Sequence, residues 1–344
     1  MPTDSPIQVR PVEPSEIDAL LAHFPGASVF HSRAWLTTIS KSHNVRIFAA
    51  RADRNGSPIA FWPYLEMRKG PFRVIGSPLP GWSTAYIGPI TNSADPNDAQ
   101  AILNAFLGHR LFKWYAYAAV KTVGNPCPFD FAAAGFTKVT DLETYLIDLT
   151  QSEDAIWNNM KGECRSRIRK AEKLGIEIRE EAAPDFLEDF WAMSLETFSK
   201  SGIQPTHTRE FCVGVWNNLR PVNRLHVISA FYEGKRIATL VLPFDAHTMY
   251  YWGGASFSEF RELPAHNALH WRAMKDAKSL GLKSSDMVST SGGPGRFKKT
   301  FGPQAFVVGA HWERSPNKLL SAVKRRYEAY LRRKHAASAV ASDS

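Results

Sequence analysis

Ser291-Gly292-Gly293-Pro294-Gly295-Arg296-Phe297-Lys298-Lys299-Thr300-Phe301-Gly302 is the stretch of this chain richest in chemistry-bearing residues. Glycines let backbone amides approach an anion, and three cations follow at once. Holding phosphates or a developing oxyanion requires both. The spacing is not the GxxxxGK[ST] of a phosphate-binding NTPase loop, and no strand leads into it as in a dinucleotide turn, so those two chemistries are unsupported. The plainer alternative is a solvated loop. Arg165, Arg169 and Lys173 stand four apart on a helical pattern, either as a solvated basic face or as one that binds phosphate. His266 and His270 also stand four apart, as in a zinc-peptidase helix. Asn267 replaces the glutamate of that motif and no third ligand is signalled, so no metal is expected.

Composition narrows the classes. Of 344 residues 44% are hydrophobic, which supports about two domain cores. Cys127, Cys164 and Cys212 are far apart with no paired spacing, which points away from a disulfide framework and towards a cytoplasmic protein. The first ten residues lack a signal pattern, and no run approaches the roughly 18 apolar residues that span a bilayer. The net charge of +9 is concentrated. Lys161 to Lys173 holds six basic residues against two acidic, and Glu313 to the end holds eight against three, so these segments carry the whole excess. In the second segment Leu320, Val323, Tyr327 and Leu331 form one helical stripe flanked by Arg325, Arg326, Arg332, Arg333 and Lys334. That helix either docks on the body or helps hold tRNA or an anionic membrane surface, and the small residues after Ala336 read as disordered.

The elements that must position these residues are written twice. Gly56-Ser57-Pro58-Ile59-Ala60 recurs as Gly234-Lys235-Arg236-Ile237-Ala238, and His31-Ser32-Arg33 recurs as His207-Thr208-Arg209 at nearly the same offset. In the first half helices are expected over 16–23, 32–40 and 96–107, and strands over 45–52, 59–65 and 113–120. Asn55-Gly56 supplies the hairpin turn. In the second half helices are expected over 186–198, 209–219 and 265–280, and strands over 225–232, 237–244 and 248–253. Between the halves, 145–149 reads as a strand and 153–174 as one long helix stopped by Gly175. This order of helices, β-meander, helix and strand is that of an acetyltransferase-type α/β module.

Three stretches resemble the FemAB-like branch of the GNAT acyltransferase superfamily, which includes CelD-like acetyltransferase domains. Arg165-Ser166-Arg167-Ile168-Arg169-Lys170-Ala171-Glu172-Lys173-Leu174-Gly175 is similar to a family run. So is the proline-started helix from Pro264, which leads to a strand bearing Asp286, and so is Phe297-Lys298-Lys299-Thr300-Phe301-Gly302. The resemblance covers most of 141–302 and implies an α/β (α+β) fold of two tandem GNAT-like modules, with mixed sheets flanked by helices. The expected division is an N-terminal module over 7–140, a C-terminal module over 141–312, and a basic helix and tail over 313–344. It also implies transfer of an acyl or aminoacyl group to an amine, with Lys298 as electrostatic partner of the carbonyl or phosphate and Phe297 shaping the site. Asp286 is then a candidate acceptor of the amine proton, and Tyr251 and Trp252 candidate walls of an acyl channel. Arg165, Arg169, Arg296 and Lys299 are candidates for holding the donor. Acyl-CoA or aminoacyl-tRNA is expected as co-substrate, with no tightly bound cofactor, and the acceptor as a small-molecule or peptide amine. Two departures stand out. The glycine-containing pyrophosphate turn of CoA-binding GNATs is absent from Ala255–Leu263, and Val288-Ser289-Thr290 replaces the Gly-Arg-Ser found after the strand aspartate in many relatives. A non-catalytic binding module of the same fold is the remaining alternative.

Overall fold

The computed structural model describes residues 5–124, 127–199, 205, 207–290 and 292–316. Asn55 and Gly56 take φ of 51° and 78°, and Glu233 and Gly234 take 51° and 76°. Both copies of the repeat therefore make the same tight hairpin, whose positive φ values match strand twist. The first half runs β1 (Gln8–Pro11), α1 (Ile17–Leu21), α2 (Arg33–His43), β2 (Arg46–Arg54), β3 (Ser57–Lys69), β4 (Phe72–Ser77), β5 (Ile90–Thr91), α3 (Pro96–Gly108) and β6 (Tyr117–Lys121). After it come β7 (Thr137–Asp148), α4 (Glu153–Asn159), α5 (Gly162–Lys173), β8 (Glu177–Glu180), α6 (Phe186–Ser199), α7 (Arg209–Leu219), β9 (Leu225–Tyr232) and β10 (Lys235–Pro243). The chain continues through β11 (Thr248–Tyr250), β12 (Gly253–Ser256), α8 (Ala265–Ser279), β13 (Ser284–Asp286), α9 (Gly292–Lys298) and β14 (Gln304–Arg314).

One ten-stranded mixed sheet crosses both halves in the order β1-β2-β3-β4-β6-β14-β7-β13-β11, with β5 on β3, and a four-stranded sheet has the order β12-β10-β9-β8. The last strand, β14, thus lies between β6 of the first half and β7. The expected boundary at residue 140 falls inside β7. Helices cover the sheets because each buries one stripe. On α2 Trp35, Leu36 and Ile39 are inside, and on α7 Phe211, Val215 and Leu219. Both helices begin at a hydroxyl cap, with Ser32 Oγ accepting from Trp35 N–H and Thr208 Oγ1 from Phe211 N–H. They pack on each other, and Thr38 Oγ1 donates to Gly214 O at 3.2 Å. These residues are separated by the same 176 positions as His31 and His207, so equivalent positions of the two copies meet at this contact. Around it Trp35 meets Phe211 and Trp252 at 5.8 and 6.0 Å, which gives the halves a common core.

Three expectations are corrected. The single helix over 153–174 is two helices, α4 and α5. Met160 and Lys161 are extended, Lys161 N–H bonds Thr300 O at 2.9 Å, and Arg165 caps the carbonyls of Asn158 and Met160. The single strand over 248–253 is split between the two sheets as β11 and β12. The Gly-Gly-Pro-Gly stretch is helical from Gly292, as α9, and presents no open amide loop. The basic C-terminal helix expected from Leu320 onwards lies outside the described residues, as does Ser291. Among the described residues no helix is long and apolar enough to cross a membrane.

Candidate active site

The two halves differ most where the third and fourth strands of each meet. In the first half β4 pairs with β6 from Val74↔Tyr117 to Ser77↔Val120, and the sheet stays closed. In the second half β11 pairs with β13 for three residues only, and Tyr251 N–H to Asp286 O at 2.8 Å is the next bond. Beyond it the chain passes to the other sheet as β12, leaving a wedge. Lys298, Asp286, Tyr251 and Phe297 converge there.

Asp286 ends β13, buried, and its carboxylate is held from three sides. Thr144 Oγ1 and Val288 N–H (2.7 Å) donate to Oδ1, and Tyr86 O–H from the first half donates to Oδ2 at 3.3 Å. Burial pushes its pKa up against these three donors. Val288 and Ser289 then turn with φ of 46° and 79°, a costly conformation for a β-branched residue. The turn brings their carbonyls onto Lys298 Nζ at 2.6 and 3.3 Å. Lys298 is itself only 5% exposed at the end of α9, with Nζ 5.1 Å from the Tyr251 ring centroid. Burial brings its pKa from 10.5 down to about 8, with Asp286 opposing. Among the described residues two of the three ammonium protons are thus given to carbonyls, which leaves the third for a ligand.

Two clefts flank this centre. The larger, about 790 Å³, lies between the halves and is lined by Tyr86, Lys121, Glu143, Trp252, Val288 and Ser289, among others. Trp252 Nε1 donates to Ser83 O at 2.7 Å, fixing the indole as a wall between the halves. The second, about 450 Å³, lies between α5, the start of α8 and α9. Arg167, Arg261 and Arg296 line it against one acid, Glu163, with His266 and Phe297 at its inner side. Phe297 packs on His270 and Phe301 at 5.6 and 5.3 Å and separates this cleft from Lys298.

The other residues singled out in the sequence lie elsewhere. Arg165 spends its guanidinium on the carbonyls that end α4, and Arg169 lies over the Trp157 ring at 5.3 Å. Lys299, just after α9, is exposed. His266 and His270 form no metal cluster, and none of three or more ligating side chains occurs among the described residues. Burial holds both rings neutral, His266 at about 4 and His270 well below its ordinary value. Among the described residues His270 Nε2 has no hydrogen-bond partner. Tyr86, Thr144 and Arg261 join the site without having been singled out. Nothing local marks either Tyr86 or Thr144.

This wedge with a proline-started helix beside it is matched by sequence. Residues 158–299 fit the family model described as Acetyltransferase (GNAT) domain. That match lies wholly within the C-terminal module expected over 141–312. Solved structures extend the likeness to the whole chain. A structure titled FemX superposes with a TM-score of 0.75 at 14% identity, covering 92% of this chain and 99% of its own. A tandem GNAT protein from the clavulanic acid biosynthesis pathway reaches 0.57 at 8% identity, covering 91% and 99%. The C-terminal domain of a putative lysylphosphatidylglycerol synthetase from Agrobacterium fabrum also reaches 0.57, at 12% identity, covering 93% and 98%. No curated protein matches the sequence. The fold is therefore shared with these solved structures, a tandem GNAT protein among them.

Proposed function

We propose that the chain is an N-acyltransferase in which the second half holds an activated acyl group and the cleft between the halves, 7–140 and 141–312, takes the amine acceptor. The observation that carries this reading is Lys298, a buried ammonium beside the wedge whose Nζ donates to the carbonyls of Val288 and Ser289, which line the cleft between the halves. A neutral amine attacks the acyl carbonyl, the C–N bond forms, and negative charge develops on the carbonyl oxygen. Lys298 donates to that oxyanion. The C–S or C–O bond to the carrier then breaks, and the carrier leaves with the proton given up by the amine. Asp286 receives that proton only when the Tyr86 hydrogen bond, the longest of its three, gives way; otherwise it is the counter-charge that keeps Lys298 and the 288–289 turn in place. Glu143 and Asp141 on the cleft wall suit an acceptor that arrives as a cation.

Arg167, Arg261 and Arg296 are the groups we assign to the anionic part of the donor. The loop before α8 spends five of its amides internally: Phe257, Ser258, Phe260, Arg261 and Leu263 N–H bond Ile237 O, Glu196 Oε2, Phe257 O, Ser258 O and Phe260 O. Among the described residues the amides of Ala265, His266 and Asn267 at the start of α8 carry no such bond and suit a diphosphate, so acyl-CoA stands as donor beside a second reading, an aminoacyl-tRNA. Both donors belong to the cytoplasm, which is the compartment we propose.

The test is turnover of the purified chain with acetyl-CoA, longer acyl-CoAs and mixed aminoacyl-tRNA against a panel of amines. Transfer from thioesters alone removes the tRNA reading, and transfer from neither leaves a binding module. Lys298→Ala is expected to lower kcat about 10²- to 10³-fold, the loss typical of one oxyanion donor; full turnover in that variant overturns the site.

A further inference from the structure

We propose that one corner of the first half is a docking surface for an anionic lipid bilayer. The corner consists of two loops clamped side by side. The β3–β4 hairpin turns at Gly70 and Pro71, and Phe72 follows it, 44% exposed. The second loop carries Lys113 and Trp114 ahead of β6. Arg73 joins them, its guanidinium donating to the carbonyls of Lys113 and Leu111 while Ala116 N–H returns to Arg73 O at 2.8 Å. Held this way, Trp114 has φ of 60° and is 92% exposed.

A large aromatic ring in a strained backbone conformation and almost wholly in water is costly for a protein that leaves it there. An amphipathic ring of this kind is at home in the headgroup layer of a bilayer. The surrounding charge is of one sign. Arg68, Arg110 and Lys113 are exposed, whereas Glu66, the acid beside them, is buried and paired with Arg73. The chain also leaves the described structure here, since Ser315 Oγ donates to Ala116 O at 2.8 Å. Its sequence from residue 317 on holds seven lysines and arginines against two acids. Stacking platforms for single-stranded RNA line grooves, whereas neither Trp114 nor Phe72 lines a cleft described above, which favours a bilayer. Trp114 stands in the loop before β6 and Lys121 closes the far end of that strand, about 13 Å beyond Tyr117 at strand rise. Docking therefore leaves the cleft between the halves open. The inference does not depend on acyl transfer.

The full chain is floated with phosphatidylcholine vesicles that contain or lack phosphatidylglycerol. Flotation is expected with the anionic vesicles only, and is weakened by salt. Trp114→Ala is expected to lower partitioning roughly tenfold, and Lys113→Gln about fivefold, with thermal melting unchanged because both side chains are exposed. Four outcomes overturn the proposal: no flotation with anionic vesicles; flotation that Trp114→Ala leaves intact, which assigns it to the chain beyond residue 316; binding of mixed-sequence RNA that requires Trp114; or a concentration-dependent dimer lost in that variant.

Discussion

Two carbonyls hold the Lys298 ammonium while burial works against its charge, and the balance sets a pH limit. With a pKa near 8 instead of 10.5, the charged form needed to stabilise an oxyanion is lost as pH rises through about 8. The amine acceptor works the other way, becoming more nucleophilic as pH rises, so kcat/KM is expected to be bell-shaped. Lys298→Arg keeps its charge across this range and is expected to lose the falling limb while keeping the rising one. A falling limb that persists unchanged in the arginine variant removes Lys298 as its source. The same pKa has a stability consequence: between about 8 and 10.5 the unfolded chain retains a proton that the folded chain has released, so this group's contribution to stability rises with pH. Lys298, Phe297 and Asp286 were legible because they stand in short motifs with a chemical pattern. Thr144 and Tyr86 were not, since each reaches Asp286 from a strand or loop more than 140 positions away and carries no local signature.

The helices around the common core could be read from apolar spacing and caps, which are local properties; α7 begins and ends where its pattern and Thr208 predict. The break between α4 and α5 could not. Apolar spacing runs straight through it, and the interruption is imposed by Thr300, distant in sequence, whose carbonyl takes the Lys161 N–H. The α9 turn was misread for the opposite reason: its glycines argued for a loop, and packing overrode propensity. Gly302 ends this turn with φ of 71°, and a Cβ there would lie 2.1 Å from Asn159 O. Gly302→Ala combines a disfavoured conformation with a backbone clash and is expected to cost about 3 kcal/mol. Because this turn seats α9 on the end of α4, turnover should fall with the urea midpoint. A variant that loses neither would show that α9 is positioned without it.

At the scale of the whole molecule, duplication was visible in two short repeats and one offset, but the way the copies join was not. Long-range strand order has no local signal, so the placement of β14 between β6 and β7 emerges only in the fold. The helix pair α2 and α7 is where the copies meet most directly, and Gly214 sits there with room for little else. A Cβ on it would lie 3.0 Å from Thr38 Cγ2. Gly214→Val is therefore expected to destabilise the chain by about 1–3 kcal/mol through overpacking, and Thr38→Ala in the same chain to restore part of the loss. Denaturant midpoints of the two single variants and the double variant measure that coupling; strictly additive losses would remove the contact as the cause.

The Thr38–Gly214 contact also bears on ancestry. A single module that once associated with its own copy would have set this helical position against itself across a true twofold axis. Two threonines would now crowd that axis and two glycines would leave it underfilled, so neither half retains a surface suited to its own duplicate. The halves thus meet as unlike partners at equivalent positions, a threonine filling the space that a glycine leaves, and the contact between them is as asymmetric as the wedge that only one of them opens.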